Sequence, residues 1–188
     1  MDNSTSKSLS SLSKYLVLYL ITLLIEGKYR INTINSQFIH FKYIHIIKLS
    51  SNINMIISSL FIIVIIIIIL TACYFISDIF NLKVSVNSII QGFISVVLVF
   101  IIFQFIKLII DITLLQVPDC DLTDKDSLIN SLRNTKWFQY VSINDYLMIL
   151  IGTITLSTQM YIKENKHNYY EIFIITSVFL ICYLIVLL

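Results

Sequence analysis

The sequence is short of the residues that shape and cover a soluble domain. Its 188 residues include one Pro (Pro118), one Ala (Ala72), two Arg (Arg30 and Arg133), three Gly, three His and three Cys. Charged side chains make up 13% of the chain, where a soluble domain carries about 25%. So little charge cannot clothe a soluble surface, which excludes a soluble globular enzyme. With 57% hydrophobic residues, a disordered chain is excluded as well.

The scarce residues also exclude chemistries. Three glycines cannot build a Gly-rich phosphate loop, and no serine sits in a GxSxG setting. HExxH is absent, and Cys73, Cys120 and Cys182 are far apart and odd in number, with no CxxC spacing. His40, His45 and His167 all lie outside the long apolar runs, which argues against haem held between spans. The loop Asp119-Cys-Asp-Leu-Thr-Asp-Lys-Asp126 has Asp124 where a calcium loop needs Gly, and Asn130 where it needs Glu. No basic block points to nucleic acid. No cofactor is expected, although bound lipids are.

What is present is hydrocarbon. The chain has 40 Ile and a mean hydropathy of +0.89. The bias toward Ile, Asn, Lys, Phe and Tyr, residues with AT-rich codons, also points to an AT-rich genome. The fold expected is an all-α integral membrane protein with four transmembrane helices in two hairpins and an N-terminal interfacial helical region. Residues 1–50 form a polar tail and interfacial or half-inserted helices. Residues 51–188 form the membrane domain, with spans at about 55–76, 86–117, 146–162 and 172–188 and a hydrophilic loop at 118–142. The apolar run 15–25 is too short to span comfortably and is read as an in-plane or half-inserted helix, with a short fifth span as the alternative. In 36–49, Ile39, Tyr43, Ile46 and Ile47 share one helical face, which suits an interfacial helix or a segment packed on a partner. Within the loop, Thr123-Asp-Lys-Asp126 reads as an N-cap of a short amphipathic surface helix. With the N-terminus inside, nine Lys and Arg fall on that side and three on the other, which places both termini on the matrix or cytoplasmic side.

Two stripes carry polarity into the spans. Gln104, Lys107 and Asp111 are spaced i, i+3, i+7 and point the same way on a helix. A Lys–Asp pair on that face suits a proton or ion path. The other reading is anchoring or subunit contact, with Lys107 snorkelling to the surface and Asp111 already in water. The second stripe is Asp145, Met148, Gly152, Thr155 and Gln159, whose steps of 3, 4, 3, 4 form a helix-packing seam. Ser142-Ile-Asn-Asp145 has the form of a capping-box variant, which gives Asp145 a structural task at a helix start. Small residues are scarce, so close crossings should be rare, with Ser58, Ser59, Thr153 and Thr155 as the contact residues.

Three functions compete. The first is a non-catalytic subunit of a larger membrane complex, in the mitochondrial inner membrane and of the respiratory-chain or ATP synthase kind, with other membrane subunits as partners. The second is a small oligomeric ion channel or transporter component that uses Gln104, Lys107 and Asp111. The third is a small viral or bacterial membrane protein.

Overall fold

The computed structural model describes residues 3–36, 44–116, 133–164 and 169–187. These form five helices: α1 (Asn3–Ser36), α2 (Ile44–Ile79), α3 (Val86–Leu114), α4 (Lys136–Lys163) and α5 (Tyr169–Leu187). Among the described residues there is no strand. The fold is an all-helical membrane bundle: α1 to α4 are each long and apolar enough to cross a bilayer, and α5 is shorter.

The run 15–25 is the middle of α1, a continuous helix of 34 residues. It packs lengthwise on α3 rather than lying apart as an in-plane segment. By length and composition it meets the alternative reading, a further span. The apolar run looked short because Glu26 and Arg30 interrupt it, but both are satisfied inside the bundle (below). The segment containing Ile39 and Tyr43 and the expected 123–136 surface helix lie wholly or mostly outside the described residues. Ile46 and Ile47, in the first turns of α2, are exposed.

Side-chain contacts fix the topology. Ser8 of α1 meets Asn87 of α3, and Arg30 meets Asp111, so α1 and α3 run parallel. Lys28 reaches Asn52, which makes α1 and α2 an antiparallel pair. Lys107 meets Asp145, so α3 and α4 are antiparallel too. α3 is the hub and packs most extensively on α4 and α1. Its centre is a chain of buried rings: Phe93 on Phe179, Phe179 on Tyr183, Tyr183 on Phe100 and Phe100 on Tyr19, with centroids 5.3–5.9 Å apart.

The turn between α2 and α3 shows why the chain reverses there. Asn81 adopts a φ of 48°, a left-handed conformation that Asn tolerates. Leu82 N–H donates to the Ser77 carbonyl and Asn81 N–H to that of Asp78, which ends α2 in a Schellman motif. Ser85 then caps α3 by accepting from Ser88 N–H. Two carboxylates from the neighbouring pair complete the turn. Glu171 accepts from Lys83 N–H at 2.8 Å, and Glu164 accepts from Ser85 N–H and Oγ at 2.9 and 2.8 Å. Partial burial pushes the Glu164 carboxyl up, but the hydrogen bonds from Ser88 and Ser85 outweigh it and hold the group below its ordinary range.

α4 starts at Lys136, with Thr135 accepting from Phe138 N–H at the N-cap. Ser142-Ile-Asn-Asp145 is therefore helix interior and not a cap. The seam holds over its first half and drifts over its second. Met148 and Gly152 are buried, but the buried positions continue at Leu156 and Met160 rather than at Thr155 and Gln159, which are half-buried. Steps of four place the contact on i±4 ridges, not on the 3.5-residue repeat of a coiled coil.

All three glycines sit at helix crossings. A Cβ on Gly27 would meet Met55 at 2.7 Å, one on Gly92 would meet Leu156 at 2.6 Å, and one on Gly152 would meet the Phe100 ring at 3.0 Å. Crossings of this closeness are thus built on glycine; of the expected contact residues, Ser59 is buried and Ser58 is exposed. Alanine at Gly152 should gain about 1 kcal/mol of helix propensity but lose more by pressing on the fully buried Phe100 ring, a net cost of about 1–2 kcal/mol. Denaturant unfolding in detergent checks this, and a stabilised Gly152→Ala variant would show that the crossing is loose.

Candidate charged cavity in the bundle

The Gln104, Lys107 and Asp111 stripe faces the bundle interior, and each member finds a different partner. Gln104 Nε2 donates to Glu26 Oε2 at 3.1 Å. Lys107 Nζ lies 3.0 Å from both oxygens of Asp145. Asp111 accepts from Arg30 at 3.2 Å and from Trp137 Nε1 at 2.7 Å. Arg30 is also paired with Glu26 one turn away on α1 and lies over the Trp137 ring at 5.4 Å. The expected Lys107–Asp111 pair is not formed, because the Asp111 carboxylate is turned to Arg30 and Trp137 while α4 brings Asp145 to Lys107.

The helix geometry says where these groups lie. With a rise of 1.5 Å per residue, α3 is about 43 Å long against a hydrocarbon core of about 30 Å. Centred, it puts Gln104 and Lys107 inside the hydrocarbon and Asp111 beyond its edge. The same calculation puts Glu26 and Asp145 inside and Arg30 near the boundary. Asp111 is nevertheless not in water: it is 1% exposed. Its interfacial depth is served by Trp137 and Arg30 instead of solvent. Lys107 does not snorkel outward either, since its ammonium is spent on Asp145. Asp145, expected to serve a helix start and the packing seam, is an ion-pair partner well within α4.

A cavity of about 580 Å³ opens beside this network, between α1, α2, α3, α4 and α5. Glu26, Arg30, Lys107 and Asp145 stand on one part of its wall. Ser51, Asn54, Ser58 and Ser59 of α2 add uncharged polar groups to the lining. Farther along, Leu23, Ile62, Ile65 and Ile149 make it apolar, and Tyr19 and Tyr183 stand at that end. Counting formal charges, the network holds three carboxylates (Glu26, Asp111, Asp145) and two cations (Arg30, Lys107), an excess of one negative charge. Among the described residues, no group of three or more His, Cys, Asp or Glu side chains is placed to hold a metal ion.

Beyond the ring chain, at the opposite end of the bundle, Ser8 donates to Asn87 Oδ1 at 2.7 Å and accepts from Gln91 Nε2 at 2.9 Å. The rings of Tyr19, Phe100 and Tyr183 lie between this uncharged cluster and the charged cavity.

Glu26, Arg30, Trp137, Tyr19 and Tyr183 were not legible as site residues in the stripes of α3 and α4. A signal for three of them was present: Tyr19, Leu23, Glu26 and Arg30 step by 4, 3, 4 along one face of α1, and Glu26 and Arg30 are an i, i+4 ion pair. No family model, curated protein or solved structure matches the chain.

Proposed function

We propose that the chain is an integral membrane protein that moves a positively charged species through the cavity beside Glu26 and Lys107, as a small transporter or channel component. One observation carries this reading. Charge within a span is costly, and an ion pair that served packing alone would be closed over by side chains. Here both the Glu26–Arg30 and Lys107–Asp145 pairs stand on the wall of an open cavity of about 580 Å³. The net negative charge of the network favours a cation over an anion. Counting α1 as a fifth span moves Lys7 and Lys14 to the other side, so the margin of nine to three becomes seven to five and the two termini face opposite sides.

Reconstitution into liposomes tests the reading, with protons, potassium and a small amine as probes under an imposed potential. The parent should raise the flux of at least one probe above that of protein-free vesicles. Glu26→Gln keeps a hydrogen-bonding amide at the site but removes the charge, and should lower that flux at least tenfold. Flux equal to that of empty vesicles, or unchanged by the substitution, would reject transport.

A second reading, a subunit of a larger complex such as one of the mitochondrial inner membrane, is favoured by the outer face of α2. Ile53, Ile56, Ile57, Leu60, Phe61 and Val64 are all exposed there, and either lipid or a partner span would cover them. Purification in mild detergent separates the two: stable co-purifying chains support the subunit reading, and a lone 21.8 kDa species counts against it.

A further inference from the structure

The cavity itself is specific about chemistry. On its charged wall, Arg30 and Lys107 hold the carboxylates of Glu26 and Asp145. Its far end is made by Tyr19 and Tyr183, which are only 2% and 7% exposed. Neither tyrosine hydroxyl has a hydrogen-bond partner among the described residues, although no fully enclosed polar side-chain atom there lacks one. Tyr19 and Tyr183 both line the cavity, and neither hydroxyl is fully enclosed by protein. Buried hydroxyls without protein partners are uncommon, and both of these belong to residues on the cavity wall. Tyr19 lies seven residues from Glu26 on α1, about 10 Å along the helix axis. Between them the wall is apolar, with Leu23, Ile62, Ile65 and Ile149.

We infer that the cavity binds a small organic amine, with its ammonium group at Glu26 and Asp145, an apolar or aromatic middle, and a hydrogen-bonding group at Tyr19 and Tyr183. The inference deepens the transport reading and rests on it for the route, though not for the binding. The excess negative charge selects a monocation. A bare inorganic cation fits poorly: it needs a closed cage of oxygens, whereas these carboxylates are already bonded to Arg30, Gln104 and Lys107. A volume of about 580 Å³ also falls within the usual range for small-molecule pockets, about 300–1,000 Å³. The incoming ammonium competes with Arg30 for Glu26. Arg30 keeps a second carboxylate, Asp111, and so can release Glu26 without being left unpaired.

The test uses the full chain in detergent and three probes: tyramine, phenethylamine and 4-ethylphenol. They share a ring and two carbons, and differ in the ammonium and the hydroxyl. Binding is followed by thermal shift and calorimetry. Tyramine should bind saturably, phenethylamine several-fold more weakly, and 4-ethylphenol not measurably. Glu26→Gln should weaken tyramine binding at least tenfold. The conservative Tyr19→Phe and Tyr183→Phe variants should bring tyramine down to the phenethylamine level and leave phenethylamine itself unchanged. Equal binding of all three probes, or tyramine binding that survives Glu26→Gln, would mean partition into the micelle and overturn the inference. Proton or potassium flux without tyramine binding would also overturn it while leaving transport standing. Tyramine binding without flux of any probe would uphold the site and reject transport.

Discussion

Arg30→Leu is expected to destabilise the protein by about 3–5 kcal/mol, the usual cost of stranding buried charge. The side chains left behind are among the most enclosed carboxylates in the bundle: Glu26 at 7% exposure and Asp111 at 0%. Gln104 and Trp137 would still donate to them, but neither neutralises a charge. The cost should fall when the carboxylates are removed as well. A Glu26→Gln, Arg30→Leu, Asp111→Leu variant should recover most of the lost stability, because desolvation of the charges disappears together with their attraction. Unfolding in bicelles gives the numbers. A single-variant cost below about 1 kcal/mol would place Arg30 among solvent-screened surface pairs and remove it from the core of the network.

The second large effect separates stability from transport. Lys107→Leu leaves Asp145 unpaired within the depth of the hydrocarbon, at an expected cost of about 2–3 kcal/mol. This is less than for Arg30, because the Lys107 and Asp145 side chains are 17% and 28% exposed and touch the cavity. Adding Asp145→Leu should restore stability to within about 1 kcal/mol of the parent. Flux should not return, since both charges on that part of the cavity wall are gone. A double variant that is stable and still carries parental flux would make the pair a packing device.

The sequence disclosed the bundle and one face of the site for the same reason. Long apolar runs and the helical spacing of Gln104, Lys107 and Asp111 are local properties, and helical periodicity projects them without knowledge of neighbours. Pairing is not local. Asp111 could have joined Lys107 one turn away, and the choice of Arg30 and Trp137 depends on how α1 and the start of α4 meet α3. Glu26 and Arg30 were harder still, because a charge inside a run lowers its apparent length. The run 15–25 is short for a span by itself, but the next two turns are carried into the bundle by an ion pair and Gln104. The α4 seam shows a third limit. A 3.5-residue repeat and a step of four agree through Gly152 and then diverge, so the sequence spacing alone chose Thr155 and Gln159 where packing on Gly92 selects Leu156 and Met160.

Thiol labelling most directly examines the proposed water-accessible charged cavity within the membrane. In a background with the native cysteines replaced, cysteine is placed at Asn54 or Ser58, which line the cavity, and at Ile57, which is 60% exposed on the outer face of α2. The protein is reconstituted in liposomes and treated with a charged, membrane-impermeant thiol reagent. The cavity predicts rapid labelling at 54 and 58, slowed by tyramine, and little at 57, where lipid excludes the reagent. No labelling at 54 and 58, or labelling at 57 as fast as theirs, would contradict it.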